Sequence, residues 1–172
     1  TLLEALGSPL NKEGLLQTYV HTIDDHVMTV DPKVRLPRNY DRFLGLMEQL
    51  FELGKIPLTE KPLVELRRQT VTQLLTELKP TYTVAFTRLG KFKQLDATIA
   101  ELAEEKKPAT VIGGFPRGHF SGDLLNLVDE TVCFDPEMLE TWVATSRVIY
   151  EYEKAIGLPT KRLRKISYQS AP

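Results

Sequence analysis

The hydrophobic positions near the start of the chain fall in two short runs that have the composition of β-strands. Residues 15–22 are rich in β-branched and aromatic side chains, and residues 27–30 form a second such run. Asp24 and Asp25 between them are typical of a turn. The pattern predicts a β-hairpin.

After Pro37 the apolar positions recur with the period of a helix. Pro37 is expected to be the first residue of a helix that ends before Gly54. Its apolar positions recur at helical spacing and predict one buried stripe, made of Tyr40, Phe43, Leu44, Met47, Leu50 and Phe51. A second helix is predicted over about residues 63–78, ended by Pro80.

From residue 82 onward, short apolar runs alternate with helical segments. Strands are predicted over 82–87, 110–112 and 131–134, with a helix over 92–105 between the first two. This alternation predicts an α/β fold, with a mostly parallel sheet that helices cover on both faces. Residues 1–157 are expected to form one domain, followed by a basic, disordered tail over 158–172.

The last helix is predicted to begin at Pro136, with Asp135 as its cap, and to end at Gly157. It carries two apolar stripes. The first, in which Trp142 reads as core, is formed by Leu139, Trp142, Val143, Ile149, Tyr150 and Ile156. The second is formed by Ala144, Val148 and Tyr152, and we expect it to contact a partner subunit.

Composition narrows the class of protein. The chain has 172 residues, of which 42% are hydrophobic and 26% charged, with one cysteine, Cys133. A single cysteine excludes an internal disulfide framework and fits the reducing cytoplasm. No apolar run is long enough to span a membrane. The chain begins at Thr1 within an apolar pattern, which indicates that further sequence precedes it.

Charge is distributed unevenly although the net charge is only −1. Residues 31–42 carry four cations against two acids, and residues 158–172 carry four cations and no acid. The rest of the chain is therefore acidic. Basic charge concentrated in this way favours a polyanionic partner.

The first segment with candidate chemistry is VIGGFPRGHFSG, residues 111–122. A short apolar strand leads directly into Gly113 and Gly114, with Gly118 four residues later. Ligands bind at the carboxyl ends of parallel strands, where glycine lets the backbone approach them. The spacing matches neither a dinucleotide fingerprint nor a phosphate-binding loop. A ligand-binding turn and a plain tight turn both remain open on these residues alone.

The second segment is DPKVRLPRNYDRF, residues 31–43. Arg35, Arg38 and Arg42 converge at the start of the predicted helix, where forked donors suit phosphates or base edges. A solvated face with Asp41 and Glu48 as partners is equally consistent with the pattern. His21, His26 and His119 lack metal-site spacing, so no metal is expected, and Cys133 reads as an inert core thiol.

Three stretches taken together resemble the SPOUT-class ribosome-biogenesis methyltransferases that modify N1 of a pseudouridine in small-subunit ribosomal RNA. They are LGSPLNKEGLLQTYVHT (6–22), DPKVRLPRNYDRFLGLMEQL (31–50) and VIGGFPRGHFS (111–121), and FDPEMLETWVATSRVIYEYE (134–153) extends the match. The compact form of the glycine segment is similar to that of the archaeal branch.

The resemblance implies a SPOUT fold with a C-terminal trefoil knot, S-adenosylmethionine as cofactor, and a homodimer. The residues that it implies for cofactor binding are Thr87, Gly113, Gly118, Phe134, Asp135, Pro136, Glu137, Met138 and Leu139. Those that it implies for binding ribosomal RNA are Arg35, Arg38, Arg42 and Asn11. The family also has an Arg-Pro-Asp element just before the point where this sequence starts. The catalytic residue is therefore unassigned.

Three functions stay open on the sequence. The first is methyl transfer from S-adenosylmethionine to pseudouridine N1, with the arginines gripping RNA. The second is a non-catalytic RNA-binding assembly factor of the same fold. The third, a small-molecule nucleotide-binding enzyme, is disfavoured by the spacing of the glycines.

Overall fold

A computed structural model of the protein describes residues 1–114 and 118–169. Phe115, Pro116 and Arg117 of the glycine segment lie outside the described residues, as do residues 170–172. The chain divides into two compact units, Leu2–Leu78 and the part from Lys79 onward.

The N-terminal unit is built on an antiparallel sheet. Its strands are β1 (Thr18–His21), β2 (His26–Val30), β3 (Lys55–Ile56) and β4 (Val64–Arg68), in the order β1-β2-β4-β3. Its helices are α1 (Leu2–Gly7), α2 (Pro9–Lys12), α3 (Tyr40–Leu53) and α4 (Val71–Leu78). The predicted hairpin is confirmed, with Val20 opposite Met28. Its core is the cluster Met28, Val30, Leu50 and Val64.

The prediction of a helix over 63–78 was wrong in its first half. Val64 and Leu66 alternate with polar residues, and β4 pairs with β2 on one side and β3 on the other. Because β2 is distant in the sequence, the segment alone does not reveal this pairing, which decides its conformation. Within the range 63–78, only α4 (Val71–Leu78) is helical.

Helix α3 begins three residues later than predicted. Asn39, not Pro37, marks its start, because the Asn39 side chain accepts a hydrogen bond from the backbone N–H of Arg42 at 3.1 Å. Gly54 ends the helix in the left-handed region, at φ 74°. Of the predicted buried stripe only Leu50 is fully buried, while Tyr40, Leu44 and Phe51 are exposed.

The C-terminal unit is built on a parallel sheet. Its strands are β5 (Tyr82–Phe92), β6 (Pro108–Ile112) and β7 (Glu130–Cys133), in the order β6-β5-β7. Its helices are α5 (Leu95–Ala103), α6 (Gly122–Leu125), α7 (Thr141–Ala155) and α8 (Leu158–Gln169). The α/β class and a parallel sheet are thus confirmed. The parallel sheet is confined to this unit, while the predicted hairpin belongs to the separate antiparallel sheet, because the tight turn between β1 and β2 permits only antiparallel pairing.

The second stripe of the last helix, and not Trp142 of the first, belongs to the core. Ala144 and Val148 are buried, and Val148 joins the core cluster of Val84, Phe86, Ile99, Leu102 and Val132. Trp142 is instead 51% exposed. Packing against the parallel sheet selects the face with the smaller side chains.

The segment expected to be a disordered tail is helical as α8 over Leu158–Gln169. Leu158 at its start is buried, and Lys161 N–H donates to the Gly157 carbonyl at 3.1 Å. A buried anchor and a local backbone bond therefore replace the disorder that the basic composition predicts.

Candidate functional site: a cleft at the ends of three parallel strands

The parallel strands β5, β6 and β7 deliver the chain to one cleft of about 430 Å³. Phe86 pairs with Ile112 on one side and Val132 on the other, so β6, β7 and the regular part of β5 before its bulge end at the same edge of the sheet. Loops at this edge of a parallel sheet are where ligands bind. The cleft is lined by Phe86, Thr87, Arg88, Ile112, Gly113, Gly118, His119, Phe120, Val132, Cys133, Phe134, Asp135, Glu137, Met138, Leu139, Thr141 and Ala144.

The glycine segment that follows β6 forms one wall. The Thr141 hydroxyl at the start of α7 donates to the Gly113 carbonyl at 2.9 Å, which ties this wall to the helix. Gly118 has φ 96°, a backbone conformation that L side chains rarely adopt. A side chain at Gly118 would therefore strain this end of the segment.

The loop that follows β7 forms the facing wall. The Asp135 carboxylate accepts the backbone N–H of Glu137 at 3.0 Å and pairs with the Arg147 guanidinium at 3.3 Å. The Cys133 thiol donates to the Asp135 carbonyl at 3.2 Å. These contacts fix the loop where it leaves β7 and attach it to α7.

Asp135 therefore does not cap the last helix, and that prediction was wrong. Helix α7 begins at Thr141, with Glu140 at the N-cap position. The carboxylate of Asp135 is already used in a turn with Glu137, so residues 134–139 stay in a loop. This leaves the loop's backbone available to a ligand.

Strand β5 supplies the base of the cleft through a bulge. Phe86 and Lys91 both lie opposite Val132, so the four residues between them leave the sheet. A Cβ placed on Gly90 would lie 2.6 Å from the backbone N and C atoms of Val132. Only glycine permits this approach, and the bulge brings Thr87 and Arg88 to the cleft.

An ion-pair cluster at the end of β5 joins the chain there to α5 and β7. The Lys93 ammonium donates to the Glu101 carboxylate at 2.6 Å and to Glu130 at 3.3 Å. The hydrogen bond to Glu101 is the main cause that raises the pKa of Lys93. Burial raises the pKa of Tyr152, which packs against the core.

Eight of the nine residues expected to bind the cofactor line this one cleft, and Pro136 does not. Sequence reasoning missed Arg88, Phe120 and Thr141, and set His119 aside as structural. Arg88 and His119 could have been found, because each directly follows a residue singled out in its own segment. Thr141 could not, since the helix start was misplaced.

The four residues expected to bind RNA lie in the N-terminal unit. Arg35, Arg38 and Arg42 are not buried, and no ion pair joins them to a carboxylate in the part of the chain that the structure describes. Arg42 lies in the first turn of α3, whereas Arg38 precedes Asn39 and lies outside the helix. Among these residues the arginines are thus exposed to solvent, and no ion pair joins them to Asp41 or Glu48.

Asn11 is a support for the arginine segment, not an exposed group. It is 5% exposed, and its amide donates to the carbonyls of Leu6 at 2.9 Å and Pro32 at 2.8 Å. Both amide hydrogens are thus used inside the protein. Asn11 holds the segment at Pro32, and Asn39 holds it at the start of α3.

The EMG1/NEP1 methyltransferase family matches residues 1–153. The chain belongs to this family. The resemblance on which the site residues rest is therefore confirmed, and the match ends before α8 begins.

Several archaeal relatives of this EMG1/NEP1 chain carry the name ribosomal RNA small subunit methyltransferase Nep1. The protein of Staphylothermus marinus is 39% identical over 150 residues, covering 87% of this chain and 65% of the relative. That of Pyrococcus furiosus is 40% identical over 152 residues, covering 88% and 66%. The chain thus spans just under two thirds of the length of these relatives.

A solved structure of the EMG1/NEP1 family has a similar fold. The crystal structure of Archaeoglobus fulgidus Nep1 bound to S-adenosylhomocysteine matches with a TM-score of 0.76 at 32% identity. The match covers 91% of this chain and 68% of that one.

The described residues lack the features of a membrane span and of a metal site. No helix among them is long and apolar enough to cross a membrane. Within the same residues, no group of three or more histidine, cysteine, aspartate and glutamate side chains is arranged to hold a metal ion.

Proposed function

We propose that the protein transfers a methyl group from S-adenosylmethionine to N1 of a pseudouridine in small-subunit ribosomal RNA. The observation that carries the proposal is the cleft at the ends of β5, β6 and β7. Its two walls are the glycine segment and the loop after β7, the same two segments that the family resemblance assigns to the cofactor. The relative from Archaeoglobus fulgidus binds S-adenosylhomocysteine.

The cleft fits S-adenosylmethionine in size and in chemistry. Its volume of about 430 Å³ lies within the range of roughly 300–1,000 Å³ for cofactor sites. Ile112, Leu139 and Ala144 offer apolar surface to a purine ring. Arg88 is a forked donor for a carboxylate, and Glu137 is an acceptor for ribose hydroxyls.

The arginine segment is the proposed grip on RNA. Three guanidinium groups without carboxylate partners among the described residues are suited to phosphate oxygens. The N-terminus of α3 adds partial positive charge beside Arg42. Asn11 and Asn39 would keep the segment in one conformation, so less entropy is lost when RNA binds.

The reaction requires little beyond alignment of the methyl donor with N1 of the pseudouridine. Bound S-adenosylmethionine supplies an electrophilic methyl group, so that the N–C bond forms as the S–C bond breaks and the N1 proton leaves. The described residues would position the reactants, and this alignment contributes several kcal/mol to lowering the barrier. The base that accepts the proton is unassigned.

Three finer features follow as proposals from family membership. We propose a trefoil knot in the C-terminal unit, a homodimer, and a cytoplasmic location. The family match across both units supports the expectation that residues 1–157 act as one methyltransferase domain. Exposed Trp142 and Tyr150 on α7 offer apolar surface that supports the dimer.

Methyl incorporation tests the reaction. A ribosomal RNA hairpin containing pseudouridine should accept a labelled methyl group from S-adenosylmethionine, whereas the same hairpin with uridine should not. Equal labelling of both hairpins would overturn the assignment of N1. RNA binding without labelling of either would favour the assembly factor.

Replacing Arg38 with alanine tests the RNA surface. The slope of log affinity against log salt should fall by about 0.7, because one phosphate contact on single-stranded RNA is lost. Binding of S-adenosylhomocysteine should not change, and Lys61→Ala, which removes an exposed cation elsewhere, should leave the slope unaltered. Normal RNA binding by the Arg38 variant would remove this segment from the proposal.

A further inference from the structure

Helix α8 is a basic element that the family match does not include. The match ends at residue 153, and α8 runs over Leu158–Gln169. The helix carries Lys161, Arg162, Arg164 and Lys165 and no acidic residue. It is therefore a feature of this chain that the proposed methyl transfer does not explain.

The helix is held in place at its first turn. Gly157 adopts φ 66° after α7, and Leu158 then enters the protein with 4% exposure. The Lys161 ammonium donates to the Ile156 carbonyl at 2.7 Å, which ties α8 to the residue that ends α7. The position of α8 at the end of α7 is thus fixed by specific contacts.

Three of the four cations of α8 are exposed. Lys161, Arg164 and Lys165 are exposed and lie three and four residues apart, so they share one side of the helix. Like charges at this spacing destabilise an isolated helix by a few tenths of a kcal/mol each. A bound polyanion would remove that repulsion.

We propose that α8 binds the phosphate backbone of RNA that flanks the target nucleotide. This inference rests on the proposed function, because the RNA is the substrate of the cleft. Helix α7 begins at the cleft with Thr141 and ends at Ala155. At 1.5 Å per residue its 15 residues span about 22 Å, so α8 would contact nucleotides several positions away from the target.

RNA fits α8 better than a membrane surface does. A helix that lies on a membrane needs an exposed apolar face opposite its cations. In α8 Leu158 is buried in the protein, and Leu163 is the one large hydrophobic side chain exposed among residues 158–165. Arg164 offers the fork that suits phosphate oxygens.

The experiment compares two double variants of the whole protein. Arg164→Gln with Lys165→Gln removes two cations from α8. The matched control, Lys61→Gln with Lys106→Gln, removes two exposed cations elsewhere and gives the same net charge. A third variant, Arg164→Lys, keeps the charge of α8. Each is titrated with the pseudouridine hairpin, with and without single-stranded flanks, across a range of salt concentrations.

We expect the α8 variant to lower the salt slope for the flanked hairpin by about 1.4, at about 0.7 per cation. Its affinity at physiological salt should fall roughly tenfold. The control should match the unaltered protein, and Arg164→Lys should keep its salt slope, because the charge of α8 is unchanged. Binding of S-adenosylhomocysteine should be the same in all variants, which verifies that the cleft is folded.

Failure of this inference differs from failure of the proposed function. If the unaltered protein methylates the hairpin and the α8 variant keeps its salt slope, the function stands and the inference is overturned. If the variant instead loses binding to phosphatidylserine vesicles while RNA binding is unchanged, a membrane partner replaces RNA. If the unaltered protein neither binds nor methylates the hairpin, both fail.

Discussion

At the scale of single residues, the ion pair between Asp135 and Arg147 controls the wall of the cleft that follows β7. Its charged groups are 3.3 Å apart, with the Arg147 side chain about half exposed. An exposed pair of this kind contributes roughly 0.2–1 kcal/mol. Arg147→Met should therefore raise the Kd for S-adenosylhomocysteine up to about fivefold, as measured by calorimetry.

The same helix offers a control for that change. Lys154 pairs with Glu151 on α7, and neither residue lines the cleft. Lys154→Met should leave the Kd unaltered. Adding Asp135→Asn to Arg147→Met should cost less than the sum of the two single changes, since both remove one interaction. Additive effects would show that the ion pair does not hold the loop.

Lys93 gives the C-terminal unit a dependence on alkaline pH. Its hydrogen bond to Glu101 raises its pKa above the ordinary value of 10.5. A cation with a raised folded pKa stabilises the protein fully below the unfolded pKa, and that contribution disappears as pH rises through the folded value. The free energy of unfolding, measured in urea, should thus fall above about pH 10.4. In Lys93→Met this decrease in the free energy of unfolding should be smaller. An identical pH profile in both proteins would contradict it.

Residue types in the sequence identify many of the predicted site residues, but not the hydrogen bonds that their side chains make. Thr87, Gly113 and Gly118 are predicted as cofactor contacts from the family motifs, and they line the cleft. Asn11 is predicted as an RNA contact, yet its amide is bonded to two backbone carbonyls. Burial and hydrogen-bond partners depend on distant parts of the chain, and a motif does not report them.

At the scale of elements, the bulge in β5 depends on one glycine. In Gly90→Ala the new Cβ would lie 2.6 Å from the Val132 backbone, which cannot move without disturbing β7. We expect a loss of about 1–3 kcal/mol in the free energy of unfolding, measured by urea denaturation. Weaker binding of S-adenosylhomocysteine should accompany it, because the bulge carries Thr87 and Arg88.

Gly122→Ala is the matched control in the same unit. Nothing lies within 4 Å of a Cβ at Gly122, so the free energy of unfolding should change by no more than about 0.5 kcal/mol. If Gly90→Ala were as stable as this control, the close approach of β5 to β7 would not be present in solution.

Elements with partners close in sequence are the ones that the sequence predicts best. The β1–β2 hairpin and helix α3 follow from local periodicity and turn residues. Strand β4 is too short to be recognised from its own residues, and its partner β2 lies far from it in the sequence. The start of α7 is predicted too early because the Asp135 side chain bonds to Glu137 and Arg147 instead of capping a helix.

At the scale of the whole molecule, ligand binding should stabilise the part of the chain that forms the cleft. S-adenosylhomocysteine at 100 times its Kd should raise the free energy of unfolding by about 2.7 kcal/mol. Added protection from hydrogen exchange should concentrate in residues 86–88, 112–113 and 132–144. Protection confined to the β1–β2 hairpin would mean that the ligand binds elsewhere.

The sequence by itself determined the family, the α/β class and the segments that form both walls of the cleft, because short motifs and local periodicity are sufficient for those. The tertiary structure alone decided which face of α7 is core, that Asn11 supports the arginine segment from inside, and that Thr141 reaches the cleft. Each of these depends on which distant strands pair and which side chains they cover. The glycine segment is recognisable from its letters, but it becomes a wall of a cleft only where three parallel strands end together.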